Sequence, residues 1–125
     1  MTLSSYAYRV LQSATRALKS EGTGGWCQGH LTGGHRRFCA VGRIHQADPF
    51  ITIHGVSPAA TEVVYVLGQL DLPMLARVND GTREWNGQTG YEGVIALMDH
   101  LLVVCSPDWE PSRVQGSQFE GVGLA

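Results

Sequence analysis

The segment Thr89-Gly-Tyr-Glu-Gly-Val-Ile-Ala-Leu-Met-Asp-His-Leu-Leu-Val-Val-Cys105 decides the fold class of this 125-residue chain. Apolar residues recur in it every three or four positions, which is the spacing of one face of an α-helix. These residues are Val94, Leu97, Met98, Leu101 and Cys105. Thr89 and Glu92 match a capping box, in which the two side chains accept hydrogen bonds from free backbone N–H groups at the helix start. The segment therefore predicts a long helix with one buried face.

Other segments of the chain also have helical patterns and helix-start signals. We expect these helices to begin at Ser4 or Ser5, at about Arg36, at Ser57 and at Asp71. The first has an apolar stripe and ends in the glycine-rich residues 21–25, which hold helical order poorly. The second ends at about Ala47, because the ring of Pro49 disfavours helix at the residue before it.

Together these patterns predict a mainly α-helical single domain, a compact bundle of four to five helices over residues 1–105. Residues 50–54 and 62–67 are rich in β-branched residues, so a short strand or hairpin is an alternative to helix in these two segments. Residues 106–125 are rich in proline, glycine and serine and predict an extended C-terminal tail. We expect Trp109 and Phe119 to anchor this tail on the body or on a neighbouring subunit, and we expect a homo-oligomer or a protein partner.

Composition narrows the class of protein. Apolar residues make up 43% of the chain and charged residues 16%, as in folded globular proteins. Three cysteines, no signal segment and no apolar run near eighteen residues predict a reduced, cytoplasmic protein without a membrane span. Residues 1–43 are basic and the remainder is acidic. Nucleic-acid binding by the basic part stays an alternative, but the absence of a lysine-rich run does not favour it.

Four metal-ligand residue types fall within thirteen positions, in the spacing C-x2-H-x4-H-x3-C. They are Cys27, His30, His35 and Cys39. Two cysteines and two histidines are a standard ligand set for structural zinc. The spacing matches no common zinc motif, however, and Cys39 is flanked by apolar residues, as a small buried side chain would be. We expect no cofactor, with zinc as the alternative.

The same residues allow a small enzyme as an alternative. His35 lies one helical turn before Cys39, and a helix start can lower the pKa of a thiol. Asp80, in the pair Asn79-Asp80, would then orient the histidine, as in nucleophile–base–acid triads. The plainer interpretation of Asn79-Asp80-Gly81 is a helix that ends in a turn.

The strongest ligand hypothesis is an anion pocket in the loop before the second helix. It would use backbone N–H groups and the side chains of Gly33, Gly34, His35, Arg36 and Arg37. Positive charge at a helix N-terminus is mildly unfavourable, so a sequence that places it there gains something else from it.

Several short motifs resemble a family of small, mainly helical bacterial and phage proteins of unknown function. In order, they are Trp26-Cys-Gln-Gly29, Phe38-Cys-Ala-Val-Gly-Arg-Ile44, Val78-Asn-Asp80 and Gln88-Thr89 before the last helix. Arg43 stands where the family has a small residue, and Val78 stands where it has tryptophan. The resemblance supports the helical fold and implies no activity.

The resemblance also implies that five residues share one site: Trp26, Cys39, Gly42, Asn79 and Asp80. We therefore expect a small binding or interaction module whose functional surface is the 26–39 loop together with the Asn79-Asp80 turn.

Overall fold

The computed structural model describes residues 2–30, 32 and 37–107, and this part of the chain is mainly helical. It contains helices α1 (Ser5–Glu21), α2 (Ala40–Ala47), α3 (Pro58–Gln69), α4 (Leu75–Asn79) and α5 (Gly90–Val104), with a 3₁₀ turn at Gly22–Gly25. No strand lies within the described ranges, which carry only isolated β-bridges. The prediction of a compact all-α fold is confirmed. None of the described helices is long and apolar enough to cross a membrane.

Helix α1 is the element on which α2, α3 and α5 pack. The Ser4 hydroxyl caps it by accepting a hydrogen bond from Ala7 N at 3.1 Å. Its apolar stripe is buried against α2, α3 and α5. Helix α4 is short and packs on α2 and α5, so it depends on tertiary contacts rather than on its own propensity.

The carboxylate of Asp48, which accepts four hydrogen bonds, joins the end of α2 to the start of α3. Asp48 Oδ2 accepts hydrogen bonds from Ser57 Oγ at 2.6 Å and Ala59 N at 3.1 Å. Its Oδ1 accepts from Phe50 N at 2.8 Å and from the Tyr6 hydroxyl of α1. Burial alone would raise the pKa of Asp48, but these bonds outweigh it and lower the pKa. Burial and the bond to Asp48 raise the pKa of Tyr6 to about 12.

Two predicted helix starts are wrong. Helix α2 begins at Ala40 rather than at Arg36, because Phe38 is extended and pairs with Trp26 in a parallel bridge. Helix α4 begins at Leu75 rather than at Asp71. The backbone of Asp71 has a φ of 57°, in the left-handed region, which a right-handed helix cannot use.

The cap of the last helix also differs from the prediction. Thr89 is the residue before α5, but its side chain makes no capping hydrogen bond. The two ambiguous segments are resolved without strands: residues 62–67 lie within α3, and residues 50–54 form turns. The expected docking of Trp109 and Phe119 lies outside the described residues.

Candidate functional site

The side-chain amide of Asn79 is the centre of the candidate site. Asn79 is 1% exposed at the end of α4. Its Oδ1 accepts hydrogen bonds from the Trp26 indole Nε1 at 2.7 Å and from Ala40 N at 2.9 Å. Its Nδ2 donates to Cys27 O at 3.0 Å and to Asp80 Oδ1 at 3.2 Å. One amide therefore ties the 26–27 segment and the first residue of α2 to the end of α4.

The neighbouring residues extend this network onto the loop after Trp26. Gln28 Nε2 donates to the main-chain oxygen of Asn79 at 3.0 Å. Gly29 N donates to Asp80 Oδ1 at 2.8 Å. Gly29 has a φ of 80°, a conformation that side chains disfavour, so glycine suits the position where this loop turns towards Asp80.

Helix α4 ends in a turn at Asn79-Asp80-Gly81, as the sequence predicts, but Asn79 itself is not in the left-handed conformation. It is the last residue of α4, and Asp80 has a φ of −85°. The left-handed position of the turn is taken by Gly81, with a φ of 82°. The burial of Asn79 and its four side-chain bonds identify it as a structural centre instead.

Beside this network lies a cleft of about 220 Å³. It is lined by residues of the loop, of the start of α2 and of α4: Gly29, His30, Cys39, Val41, Ala76, Asn79 and Asp80. Most of its lining surface is apolar. Three residues of the lining carry polar or reactive groups: the His30 imidazole, the Cys39 thiol and the Asp80 carboxylate. His30 and Asp80 are exposed, whereas Cys39 is buried.

Cys39 caps α2 instead of lying inside it. Its Sγ accepts a hydrogen bond from Gly42 N at 3.2 Å. Burial nonetheless raises the pKa of the thiol, and the backbone N–H groups of Gly42 and Val41 only partly oppose this. The helix start thus lowers the pKa of Cys39, as the hypothesis expected, but the effect of burial is larger.

Trp26 anchors the loop on the far side of the network. Its ring packs edge-to-face against Tyr91 of α5, with centroids 5.9 Å apart. Tyr91 in turn donates its hydroxyl to Leu18 O of α1 at 2.7 Å. The loop is thus fixed to α1 and α5 as well as to α4.

Arg43 fills the position where a small residue was expected. It is 5% exposed, and its guanidinium lies 4.6 Å from the centroid of the Phe38 ring. Nη2 donates to Gly25 O at 3.2 Å and Nη1 to Gln46 Oε1 at 3.0 Å. Arg43 therefore joins α2 to the 3₁₀ turn through its bond to Gly25 O, and it also packs on Phe38 by a cation–π contact.

The predicted site residues are only partly covered by the structure. Trp26, Cys39, Gly42, Asn79 and Asp80 lie together, as the resemblance implies. The anion-pocket residues Gly33, Gly34, His35 and Arg36 lie outside the described residues, and Arg37 is exposed.

The metal and triad hypotheses both depend on His35 and stay untested predictions. Among the residues that the structure describes, no group of three or more histidine, cysteine, aspartate or glutamate side chains could hold a metal ion. Of the proposed triad, Cys39 and Asp80 line the same cleft.

The sequence analysis assigned no role to Val41 or Ala76, and it included Gln28 only as part of the 26–39 loop. Val41 and Ala76 are ordinary apolar helix residues, and no local signal separates a cleft wall from a core position. Gln28 follows Trp26 and Cys27 in the quoted motif, so its proximity to them was the only available signal.

The chain matches no protein-family model, no curated protein and no solved structure. The family resemblance therefore stays a prediction, and the site has to be interpreted from its own geometry.

Proposed function

We propose that the protein is a small interaction module whose cleft beside Asn79 receives one side chain of a partner protein. The observation that supports this most strongly is the set of hydrogen bonds that link the walls of the cleft. Its walls come from a loop, α2 and α4, and a single buried amide holds all three. Fixed geometry favours binding because less conformational entropy is lost when a ligand is held.

The size of the cleft favours a side chain over a cofactor or nucleotide. Its volume is about 220 Å³, below the roughly 300–1,000 Å³ that is typical of small-molecule pockets. A single side chain presented by a peptide or a folded partner fits such a volume.

The chemistry of the lining favours a lysine or arginine side chain. Val41 and Ala76 offer apolar contact to an aliphatic stem, and Asp80 offers a carboxylate to a cationic head. Asp80 Oδ1 accepts from Gly29 N and Asn79 Nδ2, while Oδ2 accepts no hydrogen bond from any described residue. A bound cation would therefore add a charge-assisted bond without breaking the network.

An anionic ligand is the second form of the proposal, held by the basic loop segment that ends in Arg37. The carboxylate of Asp80 repels an anion in the cleft itself, so such a ligand would contact the loop outside it. The two forms therefore predict different perturbed residues.

The experiment is an NMR titration of the ¹⁵N-labelled protein with N-acetyl-lysine-methylamide and N-acetyl-arginine-methylamide. N-acetyl-norleucine-methylamide is the neutral control, and inorganic phosphate is the anionic probe. We expect the cationic compounds to shift the amide signals of Gly29, Val41 and Ala76.

The matched variants are Asp80→Asn and Asp71→Asn, which each remove one exposed carboxylate. We expect Asp80→Asn to weaken binding about tenfold, as loss of a charge-assisted hydrogen bond would, and Asp71→Asn to leave it unchanged. Shifts only with phosphate would support the anionic form. The absence of shifts with every probe, or equal effects of the two variants, would refute the cleft as a binding site.

A further inference from the structure

Cys27 and Cys39 lie on two segments that run side by side in the same direction. Phe38 N donates to Gly25 O at 3.0 Å, and Cys27 N donates to Phe38 O at 3.3 Å. These bonds place Trp26 opposite Phe38 in parallel register. Continued by one position beyond this isolated bridge, the same register would place Cys27 opposite Cys39.

In that register the two residues would lie within disulfide range. Neighbouring paired strands lie about 4.7–4.9 Å apart. A disulfide requires Cα atoms about 4.4–6.8 Å apart and Cβ atoms on the same side. Opposite residues in a parallel pair meet both conditions, because their side chains point to the same face.

The Asn79 amide supplies independent evidence for the same juxtaposition. Its Nδ2 bonds the carbonyl of Cys27, and its Oδ1 bonds the N–H of Ala40, which follows Cys39 directly. The two ends of one amide therefore hold the two cysteine backbones next to each other. The Cys27 thiol also contributes, after burial, to raising the pKa of Cys39, which is consistent with their proximity.

Both thiols are free, and their environments differ in a useful way. Cys27 is half-buried and its Sγ donates to His30 O at 3.4 Å, so a small molecule can reach it. Cys39 is 7% exposed and is the helix cap described above. Cys27 is thus the thiol that a reagent reaches first, and Cys39 is placed to attack a mixed disulfide formed on Cys27.

We propose that Cys27 and Cys39 form a dithiol site that closes to an intramolecular disulfide by exchange with a low-molecular-weight disulfide such as glutathione disulfide. The Cys27 thiolate attacks one sulfur of the oxidant, and the S–S bond of the oxidant breaks to release one thiolate. The Cys39 thiolate then attacks the Cys27 sulfur and releases the second thiolate. The two cysteine protons end on the released thiols, and the oxidant takes up the two electrons.

The disulfide would change the cleft. Cys39 Sγ would lose its bond with Gly42 N, and Cys27 Sγ would lose its bond with His30 O. Two residues of the cleft lining, Cys39 and His30, would therefore change their contacts. This consequence rests on the proposed function, because it matters only if the cleft binds a partner. We expect the oxidised protein to bind the lysine probe with altered affinity.

The test is equilibration of the full chain in buffers with increasing ratios of glutathione disulfide to glutathione. Free thiols are then alkylated, and the protein is mapped by peptide mass spectrometry. We expect a Cys27–Cys39 crosslink with loss of two hydrogen atoms in the wild type and in Cys105→Ser. We expect only mixed glutathione disulfide in Cys39→Ser.

Three results would overturn the dithiol site. They are a mixed disulfide that persists on Cys27 in the wild type, a crosslink that forms only in denaturant, and a crosslink between two chains. The lysine-probe titration of the reduced protein separates the two proposals. A crosslink without probe binding refutes the proposed function alone, and probe binding without a crosslink refutes the dithiol site alone.

Discussion

Replacing Asn79 with leucine keeps the volume of this buried side chain and removes all of its hydrogen-bonding capacity. The indole N–H of Trp26, the N–H of Ala40 and the carbonyl of Cys27 then lose their partners. Asp80 also loses a bond, but its carboxylate is exposed and water can replace it.

The loss in the free energy of unfolding follows from the burial of the three groups that are left without hydrogen-bond partners. The bond to Ala40 N is buried, and the bonds to Trp26 Nε1 and Cys27 O are part-buried. An unsatisfied buried group costs about 1–3 kcal/mol, so about 2 kcal/mol for Ala40 and about 1 kcal/mol for each of the others gives about 4 kcal/mol. Burial of the apolar leucine side chain contributes about 1 kcal/mol of stability, which leaves a net loss of about 3 kcal/mol in the free energy of unfolding.

Urea unfolding followed by circular dichroism measures this loss. With a typical slope of about 2 kcal/mol per M, the midpoint should fall by roughly 1.5 M. Gln28→Ala is the control, because it removes only one exposed side chain that bonds the Asn79 main chain and should cost about 0.5 kcal/mol. If Asn79→Leu costs no more than Gln28→Ala, the amide does not organise the site.

Further predictions concern two glycines in different helices, the Asp48 carboxylate and the thiols of Cys27 and Cys39. Gly93→Ala should destabilise the protein by about 1–3 kcal/mol in urea unfolding, because the new Cβ would lie 2.8 Å from a methyl group of α4. Gly68→Ala, with open space around its Cβ within α3, should stabilise it by about 0.5–1 kcal/mol; equal effects of the two would be inconsistent with this packing. Because the folded-state pKa of Asp48 is lowered, its stabilisation is present above its ordinary value of 3.8 and is lost as the pH falls below it. Unfolding free energies measured between neutral and acid pH should therefore fall less steeply in Asp48→Asn, and parallel curves would exclude Asp48 as a source of acid sensitivity. Thiol-reactive probes should label Cys27 before Cys39 in the native protein, since Cys27 is partly exposed and Cys39 is buried; rapid labelling of Cys39 at neutral pH would instead indicate an activated nucleophile.

The features that could be predicted from sequence are those that depend on neighbouring residues. Ser4 and Ser57 were recognisable as helix caps because the N–H groups that they bond lie three residues away. The buried face of α5 was recognisable because its apolar residues recur with the helical period. Such short-range signals define most of the helices and hence the fold class.

The features that could not be predicted depend on contacts distant in sequence. Phe38 is extended because it pairs with Trp26, and nothing around Phe38 itself signals this. Asn79 looks like a turn residue, and its burial becomes visible only when α4 packs beside the 26–29 loop. The resemblance therefore grouped several residues of this network, while their contacts and burial required the tertiary structure.

Hydrogen exchange by NMR, at the Trp26 indole N–H and the Ala40 amide, examines the organisation of the site around Asn79 without any assumption about its ligand. Both protons bond the same buried oxygen, so both should exchange only through openings close in free energy to global unfolding. Asn79→Asp keeps the acceptor but places a carboxylate beside the Cys27 carbonyl and the Asp80 carboxylate, so protection of these two protons should fall by more than protection in α1 and α3. Rapid exchange of both protons in the wild type would mean that the amide does not hold the loop and α2 together, and the cleft would lose its basis.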